Sequence, residues 1–140
     1  MPDKWPLANG NWSDAANWNG GTKPTSLDDV FADGRTIAVD EDISVISIRT
    51  TQRTGGTAGG SFTVTTTRSI TANITAGAST CVVYSGNSST TLTVVGQVLG
   101  STTADGANGI AVTSSGNLLV TSTGLNSPAG SPNGRGFSHG

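Results

Sequence analysis

The C-terminal part of the chain repeats itself at a fixed offset, and this repeat constrains the fold more than any other feature. The segment 92–101 is echoed by 118–127, so that Leu92 corresponds to Leu118. A small polar run follows each copy, and then a glycine precedes an apolar residue, in Gly109-Ile110 and again in Gly136-Phe137. A period of about 20–50 residues is typical of solenoids. The pattern predicts one rung of a parallel β-helix, whose apolar face is buried only when rungs stack.

The composition favours an ordered all-β chain. Charged residues make up 11% and aromatic residues 5% of the chain, and there are 20 glycines. Disordered chains are usually richer in charge and proline, whereas here Val, Ile, Leu and Thr recur in short alternating runs that suit a pleated surface. Outward Thr, Ser and Asn side chains are expected to form ladders between rungs. We therefore expect a right-handed parallel β-solenoid over residues 32–140.

Residues 1–31 have a different character and are predicted to form an N-terminal cap. The three tryptophans of the chain, Trp5, Trp12 and Trp18, all lie here among Asn-Gly and Gly-Gly turn signals. The tetrapeptide 14–17 predicts a single helical turn with a Ser or Asp cap at its start. Large indole rings could cover the apolar end of a solenoid. A sugar-stacking aromatic platform is the alternative interpretation.

The same segment carries a resemblance to known proteins. The run Asn-Trp-Ser-Asp-Ala-Ala-Asn-Trp at 11–18 is followed by Pro24, by Asp-Asp-Val at 28–30 and by Thr-Ile-Ala-Val-Asp at 36–40. This order resembles a segment near the start of many β-solenoid surface proteins, including autotransporter passenger adhesins and phage fibre or capsid-appendage proteins. The resemblance covers most of the chain, and it implies a β-solenoid fold and a surface location.

Cysteine usage and the chain termini bear on the cellular compartment. Cys81 is alone, which excludes an internal disulfide, and its apolar neighbours predict a small buried residue. No segment is apolar for long enough to span a membrane, and the first residues lack the apolar core of a signal peptide. This favours a virion protein made in the host cytoplasm, or else a chain that starts after a removed signal. Because the chain stops inside another repeat, we expect it to continue in nature or to be covered by a partner.

Residues suited to catalysis are sparse. One histidine, His139, and one cysteine make neither a catalytic triad nor a zinc site. The carboxylates considered for glycoside hydrolysis are Asp28, Asp29, Asp33, Asp40 and Asp42. Neighbouring Asp28 and Asp29 would point to opposite faces of a strand. A Ca²⁺ site at residues 40–42 is considered, but a solvated acidic turn is favoured. We expect no enzymatic activity, no cofactor and no metal, and the dispersed basic residues predict no nucleic-acid binding.

These observations together predict a structural virion protein of a tailed phage, of the head-fibre, capsid-decoration or tail-fibre type. Its N-terminal segment would anchor to the particle and its solenoid would project from the virion surface. The expected partners are other virion proteins of capsid or tail, sister chains in a homo-oligomer with a trimer favoured, and a host-surface glycan. No membrane insertion is expected. The candidate interface residues are Trp5, Trp12, Trp18, Asp28 and Asp29.

Two alternatives remain open at this point. One is a secreted bacterial adhesin of the autotransporter type, located outside the cell or at its surface. The other is a tailspike that binds or cleaves polysaccharide.

Overall fold

The computed structural model of the protein describes residues 3–100, 107–121 and 137–139. Its strands alternate between two sheets, apart from one consecutive pair that lies in the first sheet. The first sheet contains β1 (Asp3–Lys4), β3 (Asp29–Phe31), β5 (Ile43–Arg49), β7 (Arg68–Thr75), β9 (Thr91–Val95), β10 (Val98–Leu99) and β12 (Asn117–Thr121). The second contains β2 (Gly10–Asn11), β4 (Thr36–Ala38), β6 (Ser61–Val64), β8 (Val82–Tyr84), β11 (Ile110–Val112) and β13 (Phe137–His139).

Each coil of the chain, meaning one passage through both sheets with the connecting turns, stacks on the previous coil. The first sheet has the order β1-β3-β5-β7-β9-β12, with β10 also beside β7, and the second has the order β2-β4-β6-β8-β11-β13. All pairings between these strands are parallel. The predicted all-β parallel solenoid is therefore confirmed.

The register confirms the repeat found in the sequence. Strand β12 pairs with β9 so that Leu118 lies beside Leu92, which is the correspondence that the repeat predicts. Strand β13 pairs with β11 so that Phe137 lies beside Ile110. Residues 122–127 and Gly136, which complete the second copy in the sequence, lie outside the described residues.

The core is a column of apolar side chains between the two sheets. In β7, Ile70, Ala72 and Ile74 are buried whereas Thr71 and Asn73 are exposed, as the period of two predicts. Burying a Val, Leu, Ile or Phe side chain contributes about 1.5–3 kcal/mol. The largest fully buried side chains are Trp18, Tyr84, Phe62, Ile37, Ile48, Ile70, Ile74, Leu92 and Ile110.

Polar side chains also tie successive coils together. Asn9, Asp42 and Asn73 each accept a hydrogen bond, at 2.8–3.0 Å, from the backbone N–H of Thr36, Ser69 and Gln97 respectively. Ser85 and Thr113 also pair through their hydroxyl groups at 2.8 Å, which is a contact of the predicted ladder type. These bonds satisfy the backbone N–H groups of Thr36, Ser69 and Gln97. They also explain why Asn, Ser and Thr are so frequent here.

The segment 1–31 shares the core of the solenoid, because it supplies β1, β2 and β3 to the two sheets. The predicted helical turn is present as a 3₁₀ turn, Ala15–Asn17, and Asp14 accepts a hydrogen bond from the Ala16 N–H at 3.2 Å. The chain before this turn is held against it by the hydrogen bond from the Leu7 N–H to the Asn17 carbonyl, at 2.7 Å.

Candidate functional site

The turn between β3 and β4 places a buried carboxylate beside the N-terminal segment. Asp33 has φ +58° and Gly34 has φ +79°, and the Arg35 N–H donates to the Ala32 carbonyl at 3.0 Å. Two successive positive φ values define a type I′ turn, for which Asp-Gly is a preferred dipeptide. In the sequence, Asp33 is one acid among several candidates. The Asp33-Gly34 dipeptide was the signal that could have located this turn.

Asp33 holds two arginines together. Its side chain is only 5% exposed, and its Oδ1 accepts a hydrogen bond from the Thr57 N–H at 2.7 Å. Its Oδ2 accepts hydrogen bonds from Arg35 Nη1 at 3.2 Å and from Arg53 Nη2 at 3.3 Å. Charge-assisted bonds of this kind compensate the burial of the carboxylate. Two guanidinium groups share one carboxylate, so the group carries a net charge of about +1.

Arg53 connects the Asp33 carboxylate to Trp5. Its guanidinium carbon lies 3.7 Å from the centroid of the Trp5 ring, which is a cation–π contact. Two hydrogen bonds with Asn19 fix Trp5. The Trp5 N–H donates to Asn19 Oδ1 at 2.9 Å, and the Asn19 N–H donates to the Trp5 carbonyl at 3.0 Å. Trp5, Asp33 and Arg53 follow β1, β3 and β5, so they come from three successive coils. We call Trp5, Asp33, Arg35 and Arg53 the Trp5 cluster.

An open groove of about 530 Å³ lies against the Trp5 cluster, within the size range of small-ligand sites. Its lining residues are Leu7, Ala8, Asn9, Asp33, Gly34, Arg35 and Thr57. The Arg35 side chain is 37% exposed, and Leu7 is 53% exposed. The groove therefore combines an apolar wall, an amide, a hydroxyl and a guanidinium. Asp33 is committed to its arginines, so the arrangement suits binding better than acid–base catalysis.

The three tryptophans that are predicted to form an interface lie in two different environments. Trp12 and Trp18 pack edge to face, with their ring centroids 5.1 Å apart, and Trp12 also lies 6.0 Å from Phe62. Both indoles are buried, at 2% and 0% exposed, and Trp18 Nε1 donates to the Trp12 carbonyl at 2.9 Å. Trp5 is partly exposed and belongs to the Trp5 cluster. The interface role of these residues stays a prediction, in which Trp12 and Trp18 could only shape the surface from beneath.

The two predicted interface carboxylates differ in their surroundings. Asp28 is buried and accepts hydrogen bonds from the Thr25 N–H at 2.7 Å and the Thr25 hydroxyl at 3.3 Å, which closes the turn before β3. Asp29 is partly exposed, accepts a hydrogen bond from Ser47 Oγ at 2.6 Å and lies 3.9 Å from Arg49 Nη2. Only Asp29 is therefore available to a partner without rearrangement of the turn, and its interface role stays a prediction.

The acidic turn at residues 40–42 links coils through Asp40 and Asp42. Asp40 accepts hydrogen bonds from the Ser13 N–H at 3.0 Å and from the Ser13 hydroxyl at 2.5 Å. Burial alone would raise the pKa of Asp40, but the Ser13 hydrogen bonds and the positive charge of Arg68 outweigh burial and hold the pKa below its usual 3.8. Within the described ranges, no group of three His, Cys, Asp or Glu side chains could hold a metal ion.

Cys81 is buried, as predicted, and its thiol lies 3.4 Å from the Ile48 carbonyl. Burial raises the pKa of the Cys81 thiol well above its usual value, because the charged thiolate would be desolvated there. The thiol therefore behaves as part of the core.

Among the described residues, no helix has the length and apolar character needed to cross a membrane. Comparison of the chain with protein-family models, with curated proteins and with solved structures gave no match. The resemblance to phage and autotransporter solenoids therefore depends on the motif residues of the sequence alone.

Proposed function

We propose that the protein is a structural module of a tailed-phage virion, of the head-fibre, capsid-decoration or tail-fibre type. The main support is the parallel stacking of coils around one continuous core, with side-chain hydrogen bonds between successive coils. Such a column is stiff, because each coil is fixed to both of its neighbours. A stiff column whose surface consists mainly of small polar side chains suits a part that projects from a particle.

In this proposal the N-terminal segment contacts the particle. Among the described residues of this segment, Leu27 is the most exposed large apolar side chain, at 65%. Its burial against another virion protein would stabilise a complex. Trp5 and Asp29, both partly exposed, would lie within the same contact, and the buried Trp12 and Trp18 would keep the surface rigid.

The height of the column favours a short decoration over a long shaft for this stretch of chain. Six successive strands in the first sheet, spaced about 4.8 Å apart, give a stack roughly 24 Å tall. A homo-oligomer, with a trimer favoured, would be wider but no taller if its columns stand side by side. Light scattering after size exclusion would measure the oligomeric state directly.

The location can be tested by fractionation. Antibodies against the purified protein are used on density-gradient fractions of a lysate from cells that produce it, and on electron-microscope grids. We expect the signal to sediment with virus particles and gold labels to decorate them. Recovery with the bacterial envelope would contradict this proposal and favour the adhesin.

A pair of variants tests the anchoring surface. Leu27→Ser should lower the number of copies per particle, because it removes an apolar contact. Leu119→Ser is the matched control, since Leu119 is similarly exposed, at 55%, but lies on β12 far along the column. Equal occupancy of particles by the two variants would contradict anchoring through this part of residues 1–31.

A further inference from the structure

We propose that the groove beside the Trp5 cluster binds a carboxylate-bearing saccharide, with Arg35 holding the carboxylate. This inference goes beyond the structural role and does not require it, because it concerns a site within the isolated chain.

The charges of the groove select an anion. Asp33 neutralises only one of the two guanidinium groups that it contacts. Arg53 is 16% exposed and is covered by the Trp5 ring, whereas Arg35 is 37% exposed. Arg35 uses Nη1 for Asp33, and within the described part of the chain its Nε and Nη2 have no hydrogen-bond partner. A guanidinium edge with free donors matches the two oxygens of a carboxylate.

The other walls of the groove suit a sugar ring. Leu7 and Ala8 present an apolar surface on which the C–H face of a ring can pack. Asn9 uses its side-chain oxygen for the Thr36 N–H, which leaves its amide nitrogen to donate to a ligand hydroxyl. Thr57, which is exposed and carries a hydroxyl, also lines the groove. Small-molecule sites combine apolar surface with a few polar groups in this way.

An acidic peptide would be bound less well by the same groove. Extended peptides that add as a strand bind along free backbone N–H and carbonyl groups. Here the Gly34 N–H donates to the Gly59 carbonyl at 3.2 Å, and the Arg35 N–H donates to the Ala32 carbonyl. The Thr57 N–H is bonded to Asp33. These backbone donors of the groove are thus already used, and side chains remain as the means of recognition.

The experiment is a calorimetric titration of the purified protein with a trisaccharide of galacturonic acid. We expect binding that weakens with salt, and a loss of affinity of about tenfold or more in Arg35→Gln, since one charge-assisted pair is removed. Arg35→Lys should recover only part of the affinity, because it keeps the charge and loses the fork. Arg49→Gln is the matched control, since Arg49 is equally exposed, at 36%, but pairs with Asp29 away from the groove. It should bind as the unchanged protein does.

Several results would overturn the proposal. They are equal affinities of the Arg35→Gln and Arg49→Gln variants, equal binding of a neutral galactose trisaccharide, full competition by acetate at the same carboxylate concentration, and equal binding of a hexaglutamate peptide. Circular dichroism checks that each variant folds. If Arg35→Gln does not fold, Leu7→Ser at an exposed position decides: unchanged affinity there would refute the ring contact and with it the saccharide. Failure of the particle fractionation would leave this titration unaffected.

Discussion

Gly116→Ala is the perturbation whose effect follows most directly from the packing. Tyr84 is fully buried, its hydroxyl is 2.7 Å from Thr90 Oγ1, and its ring lies between Gly86 and Gly116. A Cβ at position 116 would lie 2.6 Å from ring atom Cζ, and a Cβ at position 86 would lie 2.6 Å from Cε1. The ring is thus confined on both sides and cannot move away from an added methyl group without displacing the chain at Gly86.

The expected magnitude comes from this geometry. The ring or the turn must move by roughly 0.8 Å to restore ordinary contact at 3.4 Å. Overpacking of a filled core costs about 1–3 kcal/mol, and displacement of the Tyr84 hydroxyl from Thr90 costs about 1 kcal/mol more. We therefore expect Gly116→Ala to lower the free energy of unfolding by about 2–4 kcal/mol. This is a large part of the roughly 5–15 kcal/mol that stabilises a typical domain.

The assay is urea unfolding combined with hydrogen exchange. Exchange should accelerate in β8, β11 and β12 and much less in β3, because solenoid coils are coupled mainly to their neighbours. The control is a double-mutant cycle with Tyr84→Leu, in which the smaller side chain makes room for the methyl group. There, Gly116→Ala should cost less than about 1 kcal/mol. A cost that is the same in both backgrounds, or a cost below about 0.5 kcal/mol in the unchanged protein, would refute the argument.

Three further predictions concern other parts of the column. Trp18→Phe should lower the free energy of unfolding by about 2 kcal/mol in urea melts, since the hydrogen bond to the Trp12 carbonyl and part of the buried ring are lost; an unchanged midpoint would contradict it. Because the folded-state pKa of Asp40 is lowered by Ser13, its stabilising effect is present above the unfolded pKa of 3.8 and is lost as pH falls through the lower folded value. The difference in stability between the unchanged protein and Asp40→Asn should therefore shrink on acidification from pH 5 to pH 2, and a constant difference would count against it. The Cys81 thiol should not react with a disulfide reagent in the native state and should react fully in urea; fast native labelling would show that this part of the core opens readily.

The repeat that the sequence revealed is the part of the fold that proved easiest to predict. Leu92 and Leu118 occupy the same place in successive coils and have similar neighbours, so the repeat in the sequence and the stacking in space coincide. Elsewhere the coils differ in length. Val30 stacks on Ile48, and the stretch of chain between these two residues is shorter than the stretch between Leu92 and Leu118. The period is therefore hidden in the first coils, although the alternation of buried and exposed residues remained readable there.

The Trp5 cluster could not be predicted because its residues come together only in the folded chain. Trp5 and Arg53 are far apart in the sequence and meet only because the turns after β1 and β5 project on the same side. No local pattern marks such a contact. The sequence likewise could not distinguish Trp5 from Trp12 and Trp18, because which indole fills the core depends on how the first coil closes.

The contact between Trp5 and Arg53 also has a mechanical consequence. The hydrogen bonds between strands lie along the axis of the column. Tension applied along this axis at one end would therefore separate the strands one at a time. Trp5 and Arg53 belong to the first and third coils, and Asp33 binds Arg53 from the coil between them. This side-chain bridge spans two interfaces at once, so the first three coils should yield together, at a higher force than a single strand, when the N-terminal end is pulled.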